Sequence, residues 1–196
     1  MKQTEISIGI GILLLMVLRL CFTYPYAALL ITQLTLLLAM LYFVFSFGLL
    51  NQIRFRNLFK KESYASISML RILGTVGTGF VLSLISISIL FKFQRWPYGS
   101  IILLIGLISV LPIIAVVIFK YIKYKNTFYS SLLMRLSIIS IVGLVLFLTK
   151  PETIVEMTFR DYPEYIEAVK NEMKDPENLE LQQITNEVRL KMESDE

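Results

Sequence analysis

The chain alternates long apolar runs with short polar breaks, and five of the runs approach the length a bilayer demands. A hydrocarbon core about 30 Å thick needs roughly 20 helical residues at about 1.5 Å each. The pattern predicts spans over residues 6–23, 26–50, 72–91, 99–119 and 131–149. Arg19 sits near one end of the first run and Arg135 near one end of the fifth. From there a long side chain reaches the headgroups while its stem stays in lipid. The first run has no small-x-small cleavage site and is followed directly by the second, so it reads as a retained span. The expected fold class is all-α: a polytopic membrane helical bundle of five transmembrane helices within residues 1–150, with a short amphipathic helical tail over 151–196.

The runs are also written more than once. Tyr24, Pro25, Tyr26, Ala27, Ala28 recurs as Trp96, Pro97, Tyr98, Gly99, Ser100, each after an apolar run that ends near a basic residue, Arg19 or Lys92. Arg54, Phe55, Arg56, Asn57, Leu58, Phe59 is echoed by Lys123, Tyr124, Lys125, Asn126, Thr127, Phe128. A third copy starts near Tyr129 and stops at Lys150, Pro151. Repetition of this kind fixes architecture before chemistry, and the expectation is two parallel hairpins plus a half repeat. Inverted repeats, which build many secondary transporters, are not what this spacing describes.

Within the third run, Thr75, Gly79 and Ser83 recur every four residues, a small-residue stripe that lets helix backbones approach closely. Burial at the centre of the bundle explains the stripe, and a homo-oligomer contact is the alternative. Pro112 in the fourth run removes a backbone donor and predicts a kink.

In the tail, Asp161, Tyr162, Pro163 reads as a helix start, placing Tyr165, Ile166, Val169 and Met173 on one face. Asp175, Pro176 reads as a second start, with Asp175 as N-cap and Leu181, Ile184, Val188 and Met192 as the next stripe. So short a segment cannot bury a sufficient core alone. It packs on the bundle or, through residues 161–192, on a membrane or periplasmic protein partner.

Composition agrees with the pattern: 56% of residues are hydrophobic, above the soluble average of about 45–50%. Charge is segregated, with a net of +11 over residues 1–149 and −7 over 150–196. The basic residues bracket apolar spans and do not form a solvated patch, which excludes a nucleic-acid partner. Arg54, Arg56, Lys60, Lys61, Arg71, Lys120, Lys123, Lys125 and Arg135 fall on one side of the membrane. Lys and Arg of short loops stay inside, so a bacterial inner-membrane protein with a cytoplasmic amino terminus and a periplasmic tail is expected.

The inventory is restrictive. There is no histidine and one cysteine, Cys21, which excludes His-based triads, His or Cys metal cages and disulfide frameworks. Cys21 reads as an ordinary buried thiol. No Asp or Glu lies between Glu62 and Glu152, and Glu5 reads as a residue at the edge of the first span, outside any proton relay. Neither catalytic residues nor a cofactor are expected. The lipid bilayer is the one partner the pattern requires. Two aromatic and basic turns remain as a candidate ligand or interface site: Arg19, Tyr24 and Tyr26 in the first, Lys92, Arg95, Trp96, Pro97 and Tyr98 in the second. Lys92 stands four residues before Trp96, close enough on a helix to stack on the ring or snorkel beside it. An aromatic interfacial belt is the alternative use of the same residues.

The segment Leu90, Phe91, Lys92, Phe93, Gln94, Arg95, Trp96, Pro97, Tyr98, Gly99, with Gly106 and Leu107 beyond it, resembles the transmembrane hairpin of the GldL family. These are inner-membrane components of the gliding and secretion motor of Bacteroidota, with a hairpin of the form F-K-x-x-H-W-P-G. Lys92, Trp96, Pro97, Gly106 and Leu107 match; Arg95 replaces the His and Tyr98 a Gly. The family's membrane glutamate falls at Val110. The resemblance implies a related hairpin and a Bacteroidota origin, without proton conduction. The expected function is a non-enzymatic scaffold or accessory subunit of an envelope complex. The alternative is a small transporter or a lipid- or anionic-ligand-binding protein that uses the outer turns.

Overall fold

The computed structural model describes residues 2–22, 26–65 and 67–194, with residues 193 and 194 described by backbone alone. Five helices are long and apolar enough to cross a membrane: α1 (Lys2–Cys21), α2 (Ala27–Leu50), α3 (Met69–Phe93), α4 (Gly99–Tyr124) and α5 (Thr127–Leu148). Three shorter ones follow: α6 (Pro151–Thr158), α7 (Pro163–Lys174) and α8 (Leu179–Ser194). The chain is a multi-pass, all-α membrane protein.

The helices outrun the hydropathy pattern at the basic end. Arg71 lies in the first turn of α3, and Lys120 and Lys123 in the last turns of α4. Charged residues end an apolar run but not a helix, since Lys and Arg are good helix formers. α4 also runs through Pro112 without a break.

α3 is the central helix, packed on α2, α4 and α5. In lipid, association rests on close van der Waals packing, which favours small residues at contacts. A Cβ at Gly79 would overlap the Ser46 side chain and come within 2.6 Å of the Tyr42 carbonyl oxygen, so α2 and α3 meet backbone to backbone there. On the other side, a Cβ at Gly106 of α4 would lie 2.9 Å from Ser88 Oγ. Thr75 and Ser83 are buried in the same stripe. The hydroxyls of Thr75, Thr78, Ser86 and Ser88 donate to carbonyls three or four residues earlier in α3, at 2.7–2.8 Å. Each polar group is thereby satisfied without water.

The two ends of the bundle differ. At the basic end, a loop of two 3₁₀ turns (Phe55–Asn57 and Lys61–Tyr64) folds over the helices, burying Leu58 and bonding the Tyr64 hydroxyl to the Leu58 carbonyl at 2.5 Å. At the aromatic end, Tyr26 and Tyr98 precede α2 and α4 in one left-handed conformation, φ 59° and ψ 12° against φ 60° and ψ 12°. Left-handed backbone costs a residue with a Cβ about 1–2 kcal/mol, so two matched tyrosines here mark two matched turns.

In the tail, α6 packs on α1 and α7 packs on α6 and α8. Val155, Tyr165 and Val169 form a small core with Phe159, Ile166, Met173, Val188 and Met192 against it. The tail adds one element and corrects one expectation. Pro151, where the third copy stops, opens a further helix, α6, that the sequence pattern did not place. Asp175 is the C-cap of α7, while Asn178 caps α8 by accepting from the backbone N–H groups of Glu180 (3.0 Å) and Leu181 (3.4 Å). α8 thus starts three residues beyond Pro176, and its turned face buries Thr185 and leaves Ile184 exposed.

Candidate functional site

The aromatic turns do not gather into one site around Lys92. Its side chain is buried, 5% exposed, and Nζ donates to Ser100 Oγ at 2.8 Å. The Trp96 ring instead meets Phe91 edge-on at 4.7 Å. Stacking of Lys92 on Trp96, one of the uses their spacing allowed, is absent: the chain turns sharply between them, with Arg95 left-handed at φ 56°, which breaks the four-residue helical spacing. Arg95 lies 5.9 Å from the Phe159 ring, tying the turn to the tail. Tyr26, Pro97 and Tyr98 are exposed and Arg19 is half-buried; Tyr24 lies outside the described residues. Gln94, not singled out in the sequence, donates to the Ala28 carbonyl (2.9 Å) and Thr32 Oγ1 (2.7 Å), joining α3 to α2. Cys21 is exposed at the end of α1, a correction to the buried-thiol reading. The Arg160 guanidinium donates to its carbonyl oxygen.

A buried polar cluster inside the spans lies at the basic end. Glu5, in the first turn of α1, is 6% exposed. Arg135 of α5 donates to it through two nitrogens, Nε to Oε1 at 2.7 Å and Nη2 to Oε2 at 2.9 Å. The Tyr42 hydroxyl of α2 donates to Oε1 at 2.9 Å. Arg135 Nη1 donates to Ser131 Oγ at 2.7 Å. Arg135, expected to extend to the headgroups, turns its guanidinium onto Glu5, which keeps its expected place at the end of the first span. A bidentate carboxylate partner with two flanking hydroxyls compensates the guanidinium better than a partial reach to the interface.

This cluster closes one end of a cleft of about 670 Å³ between α1 and α5. One wall is the α1 face Glu5, Gly9, Leu13, Met16; the other is the α5 face Ser131, Met134, Ile138, Val142; Leu38 of α2 and Ile89 of α3 lie at the floor. Both walls follow the i, i+3, i+4 spacing of a single helix face. From Lys2 to Met16 the cleft runs about 21 Å along the helix axis, deeper than half of a 30 Å hydrocarbon core. Lys2, Thr127 and Ser130 line the same end as the Glu5–Arg135 pair, and away from that pair the lining is mainly apolar. Ligand cavities of about 300–1,000 Å³ with an apolar body and a few convergent polar groups bind small organic molecules. An apolar shaft with one polar end suits an amphiphile.

α4 buries Val110, and among the described residues the buried carboxylate is Glu5, on α1. No family model, curated protein or solved structure matches the chain.

Proposed function

We propose that this chain is a non-enzymatic inner-membrane protein that takes the hydrocarbon chain of an amphiphile between α1 and α5, with the polar head at the Glu5–Arg135 end. The observation that carries the reading is the cleft itself, about 670 Å³ with one polar end formed by Glu5, Arg135, Tyr42 and Ser131. The amino terminus and basic loops are cytoplasmic and the tail is periplasmic, a topology supported by the loop charges and by five membrane-length helices. The matched Tyr26 and Tyr98 turns support two parallel hairpins, the second GldL-like in outline and Bacteroidota in origin.

Native mass spectrometry of the purified chain tests this reading. Co-purifying lipid is expected on the wild type and lost from Ile138→Trp, which fills the cleft from α5. Wild-type protein that retains no lipid, or Ile138→Trp that retains it fully, contradicts the reading.

The exposed apolar residues of α8 favour a second reading, a scaffold or accessory subunit of an envelope complex. Leu179 and Leu190 are 71% and 61% exposed on a helix whose other side is packed on α7. Site-directed crosslinking from these two positions in cells captures a second protein under that reading, and captures none if the tail serves only its own bundle.

A further inference from the structure

A second, smaller crevice opens at the basic end, on another face of α5. It encloses about 120 Å³ between α3, α4 and α5, and two cations, Arg71 and Lys120, line it. No acidic residue does.

Arg71 is held in place from two sides. Its Nε donates to Asn51 Oδ1 at 2.9 Å, and Asn51 is itself fixed by bonds from Nδ2 to the Phe47 carbonyl (2.7 Å) and to Thr75 Oγ1 (3.2 Å). The guanidinium carbon stands 3.8 Å from the centre of the Phe128 ring. Its terminal nitrogens have no hydrogen-bond acceptor among the described residues. Lys120 is half-buried and has no ion-pair or hydrogen-bond partner among them. Both cations line one crevice without an acidic neighbour, so each attracts an anion placed there.

We infer that this crevice holds the phosphate of an anionic phospholipid. A guanidinium with a fixed plane presents paired donors to phosphate oxygens, and a neighbouring lysine adds a mobile point charge. Basic pockets between transmembrane helices, on the side where loops are basic, suit such headgroups. The volume fits a headgroup and not a whole lipid. Beyond Lys120 the walls are Ile113, Val116 and Leu132, so acyl chains continue down an apolar groove; free phosphate gains nothing from those walls. The site shares no residue with the α1–α5 cleft and stands whether or not that cleft binds an amphiphile.

The test is lipid binding by the purified full-length chain, counted by native mass spectrometry with phosphatidylglycerol and, separately, phosphatidylcholine. Lys120→Gln is expected to weaken phosphatidylglycerol binding about fivefold, the scale of one cation beside an anionic surface. Lys120→Arg restores it, and Lys123→Gln, on the exposed side of α4, leaves it unchanged. Equal losses in Lys120→Gln and Lys123→Gln overturn the site in favour of diffuse attraction. Equal affinity for both lipids also overturns it, and so does inorganic phosphate that displaces the lipid completely. Should Lys120→Gln fail to fold, a phosphatidylglycerol with a photoreactive headgroup decides on the wild type: labelling of the peptides carrying Arg71 and Lys120 supports the site, and labelling confined to the 51–68 loop rejects it.

Discussion

Arg135 grips the carboxylate of Glu5 with both Nε and Nη2, at 2.7 and 2.9 Å, across 130 residues of sequence. The pair bridges α1 and α5 at the polar end of the cleft, and the Tyr42 hydroxyl bonds the same carboxylate from α2. Removing one partner of a buried pair strands the other charge, at a cost of about 3–5 kcal/mol. Glu5→Ala is therefore expected to destabilise the bundle by that amount in detergent unfolding, and the double variant Glu5→Leu with Arg135→Met to recover most of it. A silent Glu5→Ala would mean that the pair does not hold the helices.

The approach of α2 to α3 makes a sharper distinction between neighbouring glycines. A Cβ at Gly79 meets Ser46 and the Tyr42 carbonyl, while one at Gly77 meets nothing within 4 Å. Gly79→Ala should cost about 1–3 kcal/mol through overpacking. Gly77→Ala should be neutral or up to about 1 kcal/mol stabilising through helix propensity. Thermal unfolding of the two variants side by side checks the order, and a reversed order would displace Gly79 from the contact.

Tail docking depends on Phe159, which lies beneath Arg95 at 5.9 Å and meets Tyr165 edge-on at 4.8 Å. Phe159→Ala should speed amide exchange throughout α7 while α2 and α3 stay protected. Unchanged exchange in α7 would show that Val155 and Val169 suffice to dock the tail.

Topology can be read from the native cysteine. Cys21 is exposed at the aromatic end of α1, so an impermeant maleimide should label it in intact cells. In a Cys21→Ser background, Lys61→Cys should label only after permeabilisation. The opposite pattern would invert the bundle.

The sequence made the spans legible because length and hydropathy are local properties, and all five appear within a few residues of their expected ends. It made the paired charges illegible. Glu5 and Arg135 each look like an interfacial residue in its own run, and only the fold brings α1 beside α5. The cleft is illegible in the sequence for a related reason. A soluble helix announces its packed face by contrast with a polar one, whereas on α5 both the cleft-facing Ile138 and the lipid-facing Ile141 are apolar. Lys92 misled through its spacing to Trp96, which assumes a helix that the left-handed Arg95 interrupts. In the tail, Pro151 and Pro163 each open a helix, whereas beyond Pro176 the capping falls to Asn178.

The claim that the α1–α5 cleft holds an amphiphile is tested most directly by photocrosslinking from two neighbouring residues of α5. A benzophenone side chain replaces Ile139, which lines the cleft, or Ile141, which faces outward at 61% exposure. The protein is washed extensively in detergent before irradiation. The account predicts a lipid adduct at Ile139 and none at Ile141; equal capture at both positions, or no capture at Ile139, would contradict it.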